Sequence, residues 1–313
     1  MIMSRLVLID GNAILHRAYH ALPPSLTNGK GEPTNAVYGF VAMLLRVIEN
    51  LKPTHLAVAF DRPKPTFRKK LFKDYQAQRP EMEAALSGQI EKVHNVVEAF
   101  KIPIYELDGF EADDVIGTIA AKFQKEKNTE IVIVTGDRDL LQLVNDQVKL
   151  FMPVKGLSEG KLFGVIEAEE RMGVAPMQIV DLKALMGDAS DNYPGVAGIG
   201  PKTAAGLLKK YGTLEQVYNH LEKITPNVTE KLKKYRDNAF LSQKLATVVT
   251  DAPIDFSSDK TQLPDDLLTK EVIETFGELG FRTLLTRLSK MTNKSNPEFA
   301  KEKIVDKKQM ELF

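Results

Sequence analysis

The chain reads as an α/β fold, a central and mostly parallel sheet flanked by helices, followed by a smaller helical subdomain. Three observations predict this. Apolar runs at Arg5 to Asp10, Leu56 to Asp61 and Ile131 to Val134 lack the polar alternation of a half-exposed strand, so they read as strands buried on both faces. Helical stretches separate them, as the crossovers between parallel strands require. Past residue 160 the pattern turns helical, with breaks near Gly173, Gly187, Gly212 and Pro226.

In order, residues 1–60 predict strand, helix, strand, with Pro23-Pro24 and Asn28-Gly29-Lys30-Gly31 marking a loop before a helix over Asn35 to Leu51. Residues 62–80 hold Pro63, Pro65 and Pro80 and no clean period, and read as a mobile excursion. Glu81 to Phe100 predicts one helix, its apolar stripe at Leu86, Ile90, Val93, Val97 and Phe100 facing a core. A strand is expected at Ile102 to Tyr105, a helix at Asp113 to Glu126 and the central strand at Ile131 to Val134. From Asn293 the chain is polar and lysine-rich, which predicts a disordered tail. The expected domains are 1–172 (catalytic α/β, with an arch segment at 62–100), 173–290 (helical) and a flexible tail at 291–313.

Each apolar run leads into aspartate: Asp10, Asp61, and Asp137 with Asp139. In a parallel sheet the carboxyl ends of neighbouring strands lie along one edge, where ligands bind, so these acids converge. Glu111, Asp113 and Asp114 at a helix start, and Asp188 and Asp191 in Gly-Asp-Ala-Ser-Asp-Asn, bring the set to nine carboxylates. Any one of them also suits a helix N-cap or a turn. Together, like charges at close range stay ionised only if cations neutralise them, and all-oxygen ligation in a chain without cysteine points to Mg²⁺ or Mn²⁺.

The 313 residues carry 42 basic and 42 acidic side chains, and a net charge of zero argues at first against a polyanionic partner. If nine acids serve metals, 42 bases face 33 acids, and the excess is clustered. Arg62, Lys64, Arg68, Lys69, Lys70, Lys73 and Arg79 stand against Asp74 in one stretch, and Lys231, Lys233, Lys234 and Arg236 form another. Basic surface beside an acidic cleft suits a nucleic-acid backbone held while one phosphate is attacked. No run approaches a membrane span and no signal-peptide pattern opens the chain; the absence of cysteine excludes disulfides and fits a cytoplasmic protein.

A second signal is Pro194-Gly-Val-Ala-Gly-Ile-Gly-Pro-Lys-Thr-Ala204. Gly195, Gly198 and Gly200 allow a tight turn and close approach of backbone amides to a phosphate, Pro201 opens a helix, and Lys202 and Thr203 lie in its first turn. This is a helix-hairpin-helix pattern, a sequence-independent clamp on a nucleic-acid backbone.

On these motifs the chain resembles the 5′-nuclease domain of bacterial DNA polymerase I and its standalone relatives, the flap-endonuclease superfamily. The resemblance runs from about Leu6 to about Leu288 and rests on Val-Leu-Ile-Asp-Gly-Asn, Ala-Phe-Asp61, Phe-Glu-Ala-Asp-Asp-Val-Ile-Gly, Val-Thr-Gly-Asp-Arg-Asp and Gly-Asp-Ala-Ser-Asp-Asn-x-Pro-Gly-Val-x-Gly-Ile-Gly-Pro-Lys-Thr-Ala. It implies a PIN-like 5′-nuclease fold and an active, freestanding 5′-3′ exonuclease and flap endonuclease using two divalent ions about 4 Å apart. Asp61, Glu111 and Asp113 are then assigned to one ion and Asp137, Asp139 and Asp191 to the other, with Glu111 bridging. Asp10, Asp114 and Asp188 act through waters or orient the ligands. The resemblance also implies a potassium ion on hairpin carbonyls, Arg68, Lys69, Lys70, Lys73 and Arg79 along a helical arch over a 5′ single strand, 5′ flaps and RNA primers as substrates, and a monomer in the bacterial nucleoid. His16 and His20 read as packing or phosphate contacts. The competing readings are a junction-binding scaffold that does not cut and the N-terminal domain of a longer polymerase.

One departure stands out. Many relatives carry Tyr-Lys-x-x-Arg in the arch, but here the string is Tyr75-Gln76-Ala77-Gln78-Arg79, so Gln76 supplies no cation; Arg79 matches and remains, and Lys73 or Lys69 could swing in. At the other end, Gln309-Met310-Glu311-Leu312-Phe313 resembles the motif by which bacterial replication proteins bind the sliding clamp. Gln309, Met310, Leu312 and Phe313 are its expected contacts.

Overall fold

Strand β1 (Ser4–Asp10) occupies the middle of the molecule because its side chains are apolar on both faces and must be covered twice. The computed structural model describes residues 4–155 and 159–292. Six strands follow the order β3-β2-β1-β4-β5-β6, with β2 (His55–Ala59), β3 (Ile104–Tyr105), β4 (Thr129–Val134), β5 (Val148–Lys155) and β6 (Glu159–Phe163). All pairings are parallel except β5 with β6. The hairpin of β5 and β6 is a feature that the sequence reading did not contain.

Helices α1 (Gly11–Ala21) and α2 (Asn35–Leu51) follow β1. Short α3 (Phe67–Leu71), α4 (Ala84–Ser87) and α5 (Ile90–Ala99) lie between β2 and β3, and α6 (Ala112–Phe123) leads to β4. After the sheet come α7 (Val165–Met172), α8 (Ile179–Met186), α9 (Pro201–Tyr211), α10 (Leu214–Asn219), α11 (Pro226–Lys234), α12 (Arg236–Ala246), α13 (Lys270–Leu279) and α14 (Arg282–Met291). Among the described residues no helix is long and apolar enough to cross a membrane.

The two-residue period of β1 divides the core. Leu6 and Leu8 pack with Val115, Ile116 and Ile119 of α6 and with the helical region beyond residue 173. Val7 and Ile9 face the other way, toward Phe40 and Leu44 of α2, Val93 and Val97 of α5, and Phe276 and Leu285 of α13 and α14. Within the region expected at 173–290, α13 and α14 return to the opposite face of the sheet, where Arg287 pairs with Glu49 at 2.7 Å.

Two local expectations are corrected. The helix expected over 81–100 breaks at Gly88 and Gln89, because buried Gln89 turns inward to accept from the N–H groups of Ala36 and Val37 at the start of α2, at 2.9 and 3.3 Å. Residues 62–80 are not a free excursion. They form α3 and a series of turns in which Arg68 and Tyr75 are buried, for reasons that lie in the site below.

Candidate active site

The strand ends deliver the acids to one edge. Asp10 closes β1 and caps α1, accepting from the Ala13 N–H at 3.0 Å and from the Thr135 hydroxyl just beyond β4 at 2.7 Å. Asp61 follows β2; it accepts from the Ala112 N–H at 2.7 Å, and its own N–H donates to Asn12 at 2.8 Å. Glu111 is the N-cap residue of α6, with Asp113 in the first turn. Asp137 accepts from the Asp139 N–H at 2.8 Å and donates its own N–H to Thr135 at 2.9 Å.

Electrostatics show that these carboxylates share one field. Burial pushes Asp10 up to about 7 against the hydrogen bonds from Ala13 and Thr135, with the charges of Asp61 and Asp137 adding to the rise. Burial also lifts Asp113 well above the usual carboxylate range, and Asp137, Asp10, Asp61 and Glu111 all repel its charge. Asp61 and Glu111 are raised as well, chiefly by desolvation, although Asp61 keeps solvent contact at the cleft mouth.

A second group adjoins the first. Lys183 on α8 lies between Asp139, at 2.6 Å, and Asp188, with which it forms a short ion pair. Burial and the Asp137 charge carry Asp139 up to about 6 in spite of that lysine. Asp188 lies below its ordinary range: burial opposes this, but Lys183 and Ser190 outweigh it. Asp191 accepts from Arg79 at 2.6 Å and from the Gln76 amide at 3.2 Å. The Tyr75 hydroxyl spans the two groups, 3.2 Å from Glu111 and 3.4 Å from Asp191. Lys183 escaped the sequence reading, and Tyr75 entered it only as part of the arch string. The available signals were a tyrosine in a lysine-rich stretch that also holds Phe67 and Phe72, and a lysine five residues before Asp188.

Among the described residues, no group of three or more acidic or histidine side chains is arranged to hold an ion as it stands. Arg79, Lys183 and Arg68 are the cations on these carboxylates. The donor chemistry nevertheless fits a hard dication, since the charges of Asp137, Asp10, Asp61 and Glu111 all act on Asp113 and raise it.

Arg68 takes a different place from that expected, and it does so on Asp114, the residue expected to act through waters or to orient the ligands. Asp114, fully buried, accepts from Arg68 at 2.6 and 2.8 Å, from the Glu111 N–H at 3.1 Å and from the Val249 N–H at 2.9 Å. Four donors fill its two oxygens, so it has none to offer a metal. Arg68 also donates to the carbonyls of Leu245 and Thr247, at 2.8 Å each, and is closed off from any phosphate. Lys69 donates to the Tyr75 carbonyl at 2.6 Å, while Lys70, Lys73 and Arg79 are exposed. Arg62 and Lys64 pair with Asp108.

The hairpin between α8 and α9 is drawn tight by main-chain bonds. Asp188 and Tyr193 exchange N–H to carbonyl bonds at 3.0 Å each, Val196 donates to the Leu185 carbonyl at 2.8 Å, and Ser242 of α12 accepts from the Gly195 N–H at 3.0 Å. At Gly195, with φ +57°, a Cβ would fall 2.1 Å from the Gly187 nitrogen, so only glycine fits. Gly198, at φ +80°, offers its carbonyl to Lys231 at 3.2 Å. Gly200 caps α9 and Pro201 starts it, leaving Lys202 and Thr203 exposed at the helix N-terminus. Gln309, Met310, Leu312 and Phe313 lie outside the described residues.

Comparison with known proteins places the chain in a family. Residues 5–173 match the family described as 5′-3′ exonuclease, N-terminal resolvase-like domain, and residues 174–266 match 5′-3′ exonuclease, C-terminal SAM fold. The chain is 42% identical to DNA polymerase I of Bacillus subtilis (strain 168) over 286 residues, covering 91% of this chain and 32% of that protein. It is 43% identical to DNA polymerase I of Deinococcus radiodurans over 277 residues, 88% of this chain and 28% of the other. The chain thus spans about a third of the length of these curated relatives. In fold it is similar to T5 5′-exonuclease with bound zinc ions (TM-score 0.63, 21% identity, 92% of this chain and 98% of the other). It is also similar to the catalytic core of Rad2 in complex with DNA substrate (TM-score 0.60, 13% identity, 91% and 93%). With both halves matched in order and the acids of its parallel strands gathered at one edge, this chain belongs to the 5′-3′ exonuclease family.

Proposed function

We propose that this protein is a structure-specific 5′ nuclease that hydrolyses phosphodiester bonds at the 5′ single-strand/duplex junction, releasing flaps and RNA primers in replication and repair. The observation that carries the reading is the convergence of Asp10, Asp61, Glu111, Asp113 and Asp137 at one edge of the sheet, where their charges act on one another. Two Mg²⁺ or Mn²⁺ ions, when bound, would supply the Lewis acidity for in-line displacement at phosphorus. Asp61, Glu111, Asp113 and Asp137 would hold them, with Asp139 and Asp191 available once Lys183 and Arg79 withdraw. Asp10, fixed by Ala13 and Thr135, would orient that set.

The chain's own groups position the substrate. Amides at the start of α9 with Lys202 and Thr203 would grip the duplex backbone, a contact to phosphate that carries no sequence information. Lys70, Lys73 and Arg79 would meet the single-stranded 5′ end. Arg79, which sits 2.6 Å from Asp191, would turn its guanidinium to the scissile phosphate. A potassium ion on the hairpin carbonyls would strengthen the duplex grip, with Lys231 giving up the Gly198 carbonyl. Action as a monomer in a bacterial cytoplasm, with the C-terminal pentapeptide docking a sliding clamp, completes the proposal.

The test is cleavage of an end-labelled 5′-flap duplex with and without Mg²⁺. Junction-specific cleavage only with metal is expected. Tight binding without any cleavage would replace the nuclease with a scaffold.

A further inference from the structure

His16 and His20 belong to neither acidic group. They lie four residues apart on the exposed face of α1, and their Nε2 atoms are hydrogen-bonded to each other at 3.2 Å, with ring centroids 4.4 Å apart and planes at 64°. Two imidazoles at this helical spacing share one face and form a familiar grip for transition-metal ions. With metal–nitrogen bonds of about 2.0–2.1 Å, a 3.2 Å separation corresponds to a ligand angle of roughly 100°, between the octahedral and tetrahedral values.

The platform is rigid. α1 is capped by Asp10 and buries Ile14, Leu15 and Ala18, so the two histidines project from a fixed backbone. The Tyr19 hydroxyl donates to Glu83 at 2.7 Å, and the Tyr19 ring meets His20 edge-on at 5.2 Å, placing an acid beside the pair. Arg17 stands where the hydrolytic His-Glu-x-x-His motif has its glutamate, so the chemistry here is binding and not hydrolysis.

We propose that His16 and His20 form a two-imidazole site for a divalent transition-metal ion of the Cu²⁺, Ni²⁺ or Zn²⁺ class. Imidazole selects these ions over Mg²⁺, whereas the carboxylate cleft is an all-oxygen environment. The two sites are therefore separable by ligand type.

Electron paramagnetic resonance of the full chain with one equivalent of Cu²⁺, in millimolar Mg²⁺, tests the proposal. The expected wild-type spectrum shows coupling to two nitrogens. His16→Ala and His20→Ala should each reduce this to at most one, with Cu²⁺ affinity lowered at least fivefold in a competition titration. Both positions are exposed and alanine favours helix, so the fold is expected to survive, checked by the thermal midpoint. A spectrum without two-nitrogen coupling in the wild type, its survival in either variant, or a change in affinity below fivefold would overturn the site.

Discussion

Arg68 and Asp114 form a two-point ion pair, at 2.6 and 2.8 Å, with the side chains only 3% and 0% exposed. Through it, α3, the start of α6 and the segment after α12 are joined, since Arg68 also reaches Leu245 and Thr247 and Asp114 also reaches Val249. Removing one partner leaves a buried charge unpaired, so Arg68→Met or Asp114→Ala should cost about 3–5 kcal/mol in denaturant unfolding. Lys70→Ala and Lys73→Ala should instead leave stability near wild type and each lower the salt slope of flap binding by about one. A salt slope lowered by Arg68→Met, in protein still folded, would contradict the buried placement.

Chemistry and binding should separate at the acids. Asp113→Asn or Asp137→Asn is expected to abolish cleavage in single-turnover assays while flap affinity stays within a few-fold of wild type. On the proposed reading, binding would rest on the hairpin and the exposed bases, and cleavage on the ions. Near-normal cleavage in either variant would mean the cleft is misassigned.

The raised carboxylates make the metal-free protein sensitive to pH. Asp10 in the fold, at about 7, holds a proton that the unfolded chain, near 3.8, releases well below neutrality. Folding stability therefore falls as pH rises through the folded value. Between pH 6.5 and 8 Asp10 alone gives a loss of roughly 1 kcal/mol, and raised Asp113 acts in the same direction. Unfolding midpoints in EDTA at the two pH values measure this. Mg²⁺ should restore most of the loss at pH 8, and a midpoint flat across the window would rule out the charged centre.

At the arch, the Gln76 amide reaches Asp191 and the Tyr75 hydroxyl but brings no charge. Arg79→Ala is expected to lower the cleavage rate about 10- to 100-fold. Gln76→Lys should raise it by adding a cation beside the same acid. Unchanged rates in both variants would show that the arch contributes no catalytic charge.

Clamp docking is tested with purified sliding clamp against the full chain and a form lacking residues 309–313. Low-micromolar binding, about −8 kcal/mol, is expected for the first only. Equal binding by both, or by neither, removes the clamp and leaves the nuclease reading intact.

The sequence by itself determined the strand ends and their acids. A parallel strand buried on both faces announces itself as an uninterrupted apolar run, and the residue that follows must fall at the carboxyl edge, so Asp10, Asp61 and Asp137 were legible without coordinates. The glycines at 195 and 198 were legible for a similar reason: positive φ and close main-chain approach exclude other residues. What side chains do with their charge was decided only by the tertiary structure. Arg68 and Lys70 look alike in a basic stretch, yet Arg68 is drawn inward because Asp114 and two carbonyls converge on it from segments up to 179 residues away. Lys183 and Tyr75 take their places among the acids by the same long-range convergence. So do α13 and α14, whose apolar stripes fit either face of the sheet until α2 and α5 leave one surface uncovered. Local pattern fixes which groups an element presents; which partner meets them depends on contacts between distant segments, and these exist only once the chain has folded.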